Sequence, residues 1–403
     1  IVSSSPPSTN PIVVACVRLV PTMMVLNSQD DVPIAGPAKV RSSSSPPSDQ
    51  APFQEQEVLS WDVAMGPRKE GWQRLTMLPP TMARLALNGV GTVGAVAGYT
   101  VGKCGEALGA GKAIDSPAFQ ASFRAWMWAN GIFPEVQYEP LGEEMGKFVA
   151  QELGLARPPA ASDISITPVL VSNHVSVLDG LVLASTFSAP KVVAKSKCKH
   201  IPMLGKLMKE SDAVFVDSGK SDSRHTTLDA IVGHCREWQP GQRPLLIFPE
   251  GTMTNGHEVV DFKKGAFVAG LPVRPTIVVY TGHFDPANTT YKMTDRGPRK
   301  VGPVEWARQF WGHYIHSVHV RVLPPYFPSP EEKAYPQIYA KNCQELMASE
   351  LQRVRSELYK RSWQQSAGRT GGGMDYQCGD EVRTASRHLS SFFASLGCFG
   401  REC

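Results

Sequence analysis

The sequence predicts an α/β layered domain preceded by a membrane-associated helical segment. Three observations predict it. From about residue 160 onward, short apolar runs alternate with amphipathic stretches of helical length, the texture of strands separated by helices. Ahead of that region, residues 85–102 form an 18-residue stretch without a single charge. Of the 403 residues, 42% are apolar and 19% charged, enough to bury a sizeable core.

Residues 1–70 open with Ser3-Ser4-Ser5-Pro6-Pro7 and repeat the theme at Ser42–Pro47. Such runs lack the apolar content that offsets ordering entropy, so this region is expected to be mostly disordered. The apolar patch from Pro11 to Leu26 is broken by Arg18 and by prolines, too short for a membrane span. Residues 71–135 are expected to form the membrane-associated helical segment. Within it Gly94, Gly98 and Gly102 stand four apart, which places them on one helical face and permits close helix packing in lipid. Trp72, Trp126 and Trp128 are its candidate interfacial anchors. A flexible, glycine-rich soluble segment is the competing reading.

The layered domain is assigned to 136–328. Thr167–Ser172 reads as a strand, Val177–Phe187 as a helix and Lys191–Ala194 as a strand. A helix is expected from Pro202 to Lys209, a strand over Ala213–Asp217 and a helix over Arg224–Glu237. Pro244–Phe248 is the next strand, Lys263–Ala269 a short helix and Val273–Tyr280 a strand. Val304–His316 reads as helix and Ser317–Leu323 as the last strand. Ser329-Pro330-Glu331-Glu332 is a capping box with proline at the first helical position. It opens an amphipathic helical region over 329–365, where Cys343, Leu346, Met347, Leu351, Val354 and Leu358 recur at helical steps. Residues 366–403 turn Gly-rich and polar, a flexible tail.

Composition narrows the function classes. A net charge of +4 is small for this length and does not suggest nucleic acid, although a local basic face suits anionic headgroups or a phosphorylated cofactor. The eight cysteines are scattered without a CxxC or zinc spacing, so free thiols and no metal site are expected. No calcium-loop pattern occurs, and calcium control is not expected. The chain begins at Ile1 rather than Met, so no targeting signal is read from its start.

Two motifs carry chemistry. Asn173-His174-Val175-Ser176-Val177-Leu178-Asp179 brings a histidine and a carboxylate together after an apolar strand, where open α/β sheets place active-site groups. Seventy-five residues later, Phe248-Pro249-Glu250-Gly251-Thr252-Met253-Thr254-Asn255-Gly256 turns a buried strand into a polar loop. Its glycine allows close backbone approach to a ligand. Five positions separate His174 from Asp179, which on one continuous helix means about 140° between them. The pair therefore requires His174 in the turn before the helix, with Asp179 reaching back from its second turn. In that arrangement Asp179 fixes the imidazole tautomer, and His174 is placed to act as a general base on a hydroxyl. No serine nucleophile is needed, and no GxSxG elbow is present.

In this order and separation the two motifs resemble those of the lysophospholipid (glycerolipid) acyltransferase family, in its lysophosphatidylcholine and lysophosphatidylethanolamine branch. The resemblance extends to His200-Ile201-Pro202-Met203-Leu204-Gly205 with Val214-Phe215-Val216-Asp217, and to Leu271-Pro272-Val273-Arg274-Pro275-Thr276. Phe262-Lys263-Lys264-Gly265-Ala266-Phe267, the stretch from Tyr326 to Lys333, and Met77-Leu78-Pro79-Pro80 with Arg84 are also similar to that branch. The resemblance implies a glycerol-3-phosphate acyltransferase-like layered domain, with a central mixed sheet flanked by helices. It implies a membrane enzyme of the endoplasmic reticulum that uses acyl-CoA as co-substrate, binds no cofactor or metal, and acylates the sn-2 hydroxyl of a lysophospholipid. Lysophosphatidate is the alternative acceptor, and a catalytically silent lipid-binding relative the alternative class; oligomeric state is left open. By the same resemblance His174 and Asp179 are the catalytic pair, and Asn173, Pro249 and Pro275 support the motifs. Glu250, Gly251, Thr252, Arg224, Lys195 and Lys264 are the candidates for gripping the phosphate-bearing acceptor. One departure stands out: where many members carry Arg after the acidic residue of the second block, this chain has Ser218, and Lys220 or Arg224 is the candidate replacement.

Overall fold

A computed structural model describes residues 78–200, 204–216, 221–254, 256–281, 291–294, 297–300, 310–311 and 316–367. In chain order its helices are α1 (Leu78–Ala107), α2 (Pro117–Ala129), α3 (Glu143–Glu152), α4 (Asp179–Thr186), α5 (Leu204–Glu210), α6 (Ser221–Glu237), α7 (Pro330–Ala334) and α8 (Pro336–Ala367). The strands are β1 (Ile132–Tyr138), β2 (Val169–Ser172), β3 (Lys191–Lys195), β4 (Val214–Val216), β5 (Leu245–Ile247), β6 (Val273–Thr281), β7 (Tyr291–Thr294), β8 (Gly297–Lys300) and β9 (His316–Val322). Seven of them make one sheet in the order β1-β9-β6-β2-β5-β3-β4, while β7 and β8 pair as a separate hairpin. Neighbours from β6 to β4 run parallel, β9 is antiparallel to β6, and β1 is parallel to β9. The sheet is therefore mixed, as expected. The helix expected over Val304–His316 falls mostly outside the described residues, and so do the expectations for 1–70 and 368–403.

Parallel strands are buried on both faces, which is why β2 and β5 read as unbroken apolar runs. One face carries Leu170, Leu246, Val278 and Val320 against α2 and α4. The other carries Val169, Val171, Ile277 and Val279 against α6 and α8. The expected amphipathic helix docks here, with Cys343, Met347, Leu351 and Val354 buried on the sheet. The Ser329 capping box forms as read, its hydroxyl accepting from the Glu332 N–H. The helix it opens, however, stops at Tyr335 and a new one starts at Pro336. A residue before proline is pushed off the α region, and Tyr335 sits at φ −125°, ψ 87°. The expected short helix over Lys263–Ala269 is reduced to a 3₁₀ turn at Lys264–Ala266.

The helical segment was legible, but its interior was not. Of the three glycines, Gly98 and Gly102 contact the chain around α2: a Cβ on Gly98 would stand 2.7 Å from the Ala118 carbonyl, and one on Gly102 2.6 Å from that of Ala113. Gly94 has nothing within 4 Å, so it is not part of the packed face. Trp126 is no interfacial anchor either. It is buried, and its indole donates to Asn88 Oδ1 at 3.0 Å and Thr92 Oγ1 at 3.1 Å. Asn130 joins the cluster through Asn88 Oδ1, and Arg84 donates to the Ala129 carbonyl at 2.9 Å. Arg84, Asn88 and Thr92 of α1 thus face inward, while Met82, Leu87, Val90, Val93 and Val101 face outward, each more than half exposed. Among the described residues this is the one helix long and apolar enough to cross a membrane.

Candidate active site

The residues of both motifs meet at the carboxyl ends of adjacent parallel strands. His174 follows β2, the Glu250 turn follows β5, Lys195 ends β3 and Tyr280 is the penultimate residue of β6. The register pairs Val192 with Leu246, which brings Lys195 level with Pro249.

Asn173 extends the β2–β6 ladder with its side chain. Its Nδ2 donates to the Val278 carbonyl at 2.9 Å, and its Oδ1 accepts from the Val278 N–H at 2.8 Å. The carboxamide thus imitates a backbone pair where the chain leaves the strand, and no other side chain offers both groups in that geometry except the longer Gln. His174 lies in the loop before α4, as the spacing demands. Asp179 is the first residue of that helix rather than a member of its second turn, so the loop itself curls back to meet it. A carboxylate in a helix's first turn also faces the positive end of the helix dipole.

The Asp179 carboxylate is fully buried, and hydrogen bonds compensate its desolvation. Oδ2 accepts from Val175 N–H at 2.6 Å and Ser176 N–H at 2.9 Å, and lies 2.9 Å from His174 Nδ1. Oδ1 accepts from the Tyr280 hydroxyl at 2.7 Å. Since a carboxylate only accepts, the proton is on Nδ1, and Nε2 of the neutral ring carries the free lone pair. The ring stacks on Phe248, centroids 4.3 Å apart, and the side chain stays 22% exposed. A base at Nε2 is therefore oriented from behind and open in front.

Glu250 is placed differently from the sequence reading. Instead of facing an acceptor it is buried, its Oε1 accepting from the His174 N–H at 2.9 Å. The His174 carbonyl accepts from the Thr254 N–H at 2.8 Å. Both backbone groups of the histidine are thus held by the second motif. Burial pushes the Glu250 carboxyl up to about 7, with the His174 N–H opposing and the Asp179 charge reinforcing the rise. The folded protein then holds a proton that the unfolded chain releases between pH 4.5 and 7. Stability should fall as pH rises through that window, by at most about 3 kcal/mol, and level off above it. Glu250→Gln should flatten that part of the curve, measured as urea midpoints of wild type and variant at stepped pH; identical curves would refute the buried-carboxyl account.

The remaining candidates scatter. Gly251 adopts φ +68°, a left-handed conformation that glycine tolerates without strain, and Thr252 is exposed beside it. The Pro249 carbonyl accepts from the Lys263 N–H at 2.9 Å. Pro275 is buried in β6 beside Val171, five residues before Tyr280 and away from the site. Lys264 is exposed at the start of its 3₁₀ turn. Ser218 and Lys220 lie outside the described residues, as does the side chain of Arg224 in the first turn of α6. Sequence reasoning missed Tyr280, Phe248 and Thr254 as partners of the pair. The signal for Tyr280 was a hydroxyl ending an otherwise apolar run, Ile277-Val278-Val279. Among the described residues no trio of His, Cys, Asp or Glu is placed to hold a metal. The four described cysteines are free thiols.

Residues 164–279, which hold both motifs, match the family model Acyltransferase. Lysophosphatidylcholine acyltransferase 1 of Danio rerio is 34% identical over 235 residues, 58% of this chain and 40% of that protein. Lysophospholipid acyltransferase LPEAT1 of Arabidopsis thaliana is 35% identical over 192 residues, 47% of this chain and 46% of the relative. Through this segment the chain is similar to lysophospholipid acyltransferases, and it spans less than half the length of these two curated relatives. Among solved structures, it is similar to the 1-acyl-sn-glycerophosphate acyltransferase PlsC of Thermotoga maritima at 18% identity and a TM-score of 0.32. That likeness covers 58% of this chain and 82% of the other, and is too loose to bear on the site.

Proposed function

We propose that this protein transfers a fatty acyl group from acyl-CoA to the sn-2 hydroxyl of a lysophospholipid, lysophosphatidylcholine or lysophosphatidylethanolamine. The observation that carries the reading is the His174 ring, fixed by Asp179 at Nδ1 and left open at Nε2. Nε2 takes the hydroxyl proton as the lipid oxygen attacks the thioester carbonyl. The tetrahedral intermediate collapses with loss of the CoA thiolate, which recovers the proton from the imidazolium. Asp179 stabilises that imidazolium and stays ionised throughout. The relatives described above, acyltransferases of lysophosphatidylcholine and of lysophospholipids by name, support the choice of acceptor.

The test is an assay of membranes containing the full chain, with acyl-CoA and a panel of lysophosphatidylcholine, lysophosphatidylethanolamine and lysophosphatidate, scored by product headgroup. Product with either of the first two supports the proposal. Product with lysophosphatidate alone reassigns the acceptor, and no thioester consumption with any acceptor makes the protein a silent relative.

We further propose that the outward apolar face of α1 lies in lipid, at the endoplasmic reticulum membrane. A helix with Arg84, Asn88 and Thr92 inside and valines outside is arranged for a hydrocarbon exterior. Deleting the helix would uncover Trp126 and its neighbours, so the cleaner variant replaces Leu87, Val90, Val93 and Val101 with serine. We expect this protein to move from the membrane pellet to the soluble fraction on sedimentation. Unchanged pelleting of a folded variant would refute the assignment.

A further inference from the structure

We propose that Lys263, outside the two motifs, holds the phosphate of a substrate beside the His174 site; this rests on the acyl-transfer reading above. Four observations converge on it. The Lys263 N–H is tied to the Pro249 carbonyl, so the residue hangs on the same corner that carries Glu250. Its side chain lies across the next residue: a Cβ on Gly251 would stand 2.3 Å from Lys263 Nζ and 2.8 Å from its Cε. The glycine therefore makes room for the lysine as well as for the turn. Lys263 is exposed, and among the described residues its ammonium makes no hydrogen bond or ion pair. By contrast Lys103, Lys112, Lys147 and Lys341 each face a carboxylate. Finally, the one carboxylate of the turn, Glu250, is directed inward to the His174 N–H and is not spent on the cation.

The turn thus has two sides. Its inner side positions the histidine backbone, and its outer side presents an unspent positive charge. In a glycerophospholipid the sn-2 hydroxyl and the phosphate are only a few bonds apart. A cation on the turn that supports the base is placed for the phosphate when the hydroxyl is at Nε2. Lys264 was among the candidates read from the sequence, with Arg224 and Lys195, but the side chain that lies across Gly251 is that of Lys263. The phosphates of acyl-CoA offer the same chemistry, and kinetics separates the two sources.

The experiment is steady-state kinetics on the full chain in lipid vesicles, varying lysophosphatidylcholine and acyl-CoA in turn. Variants are Lys263→Met, Lys263→Arg and the distant surface control Lys341→Met. We expect Lys263→Met to raise KM for the lysolipid about tenfold, with KM for acyl-CoA and kcat changed less than about twofold. Lys263→Arg should recover most of the loss, since it keeps the charge. A rise confined to KM for acyl-CoA supports the phosphate site and assigns it to the donor. No change in either KM, or an equal rise in Lys341→Met, overturns the proposal. If the wild type transfers nothing, the acyl-transfer reading fails on its own. Titration of lysophosphatidylcholine by tryptophan fluorescence then decides for Lys263: weaker binding by Lys263→Met supports the site, and equal binding overturns it.

Discussion

Replacing His174 with alanine should lower acyl transfer by about 10²–10⁴-fold, the usual contribution of a positioned general base. Expression, membrane association and thermal stability should change little. The ring is partly exposed and contributes one stacking contact, on Phe248, and one hydrogen bond, to Asp179. What the substitution removes is the lone pair at Nε2, with no other described histidine on the Asp179 carboxylate to replace it. Rates measured at saturating acyl-CoA and lysolipid, alongside a melting curve, check both halves. A variant that keeps more than about a tenth of wild-type kcat would refute His174 as the base.

A larger effect on stability is expected at Asp179. Alanine there deprives the Val175 and Ser176 N–H groups and the Tyr280 hydroxyl of their acceptor, all in a buried position. Leaving buried donors unsatisfied costs roughly 1–3 kcal/mol each, partly relieved by rearrangement, so a net loss of about 3 kcal/mol is expected. Activity should fall with it, because the loop that presents His174 is built around this carboxylate. Asp179→Asn separates the two consequences. It keeps the shape and one acceptor oxygen, so it should recover part of the stability, but it cannot hold the imidazolium. Urea melts and kcat measured on both variants test this. If Asp179→Ala melts like wild type, the carboxylate is not the centre of the loop. If Asp179→Asn keeps wild-type kcat, it does not act on the base.

How far these groups were legible from the chain varies with the range of the interaction that fixes them. β2, β5 and the Ile277-Val278-Val279 stretch of β6 were readable as short apolar runs, which report burial on both faces of the sheet. β1 was not: Ile132–Tyr138 carries Pro134 and Glu135, and its strand character comes from pairing with β9, almost two hundred residues later in the chain. A proline is tolerated there because β1 is an edge strand. α2 was not separated from the rest of the expected 71–135 helical segment for a related reason, since its apolar face makes sense only against α1, α4 and β1. The glycine spacing in α1 was read correctly as a helical face, but which glycines meet a neighbour depends on where α2 lies.

The sequence by itself determined the layered α/β class, the two motifs and the requirement that His174 precede the helix that holds Asp179. These follow from local rules, the period of apolar residues and the angular step of a helix, which act within a few residues. Only the tertiary structure decided how the motifs join. Glu250 reaches the His174 N–H across 76 residues, and Tyr280 reaches Asp179 across 101. It likewise decided that Lys263 rather than Lys264 lies across Gly251, and that Arg84, Asn88 and Thr92 of α1 point inward. The physical reason is common to all of these. A side chain's chemistry is written in its identity, but the partner that buries, charges or exposes it is set by the sheet register, and that register is fixed by packing between distant parts of the chain.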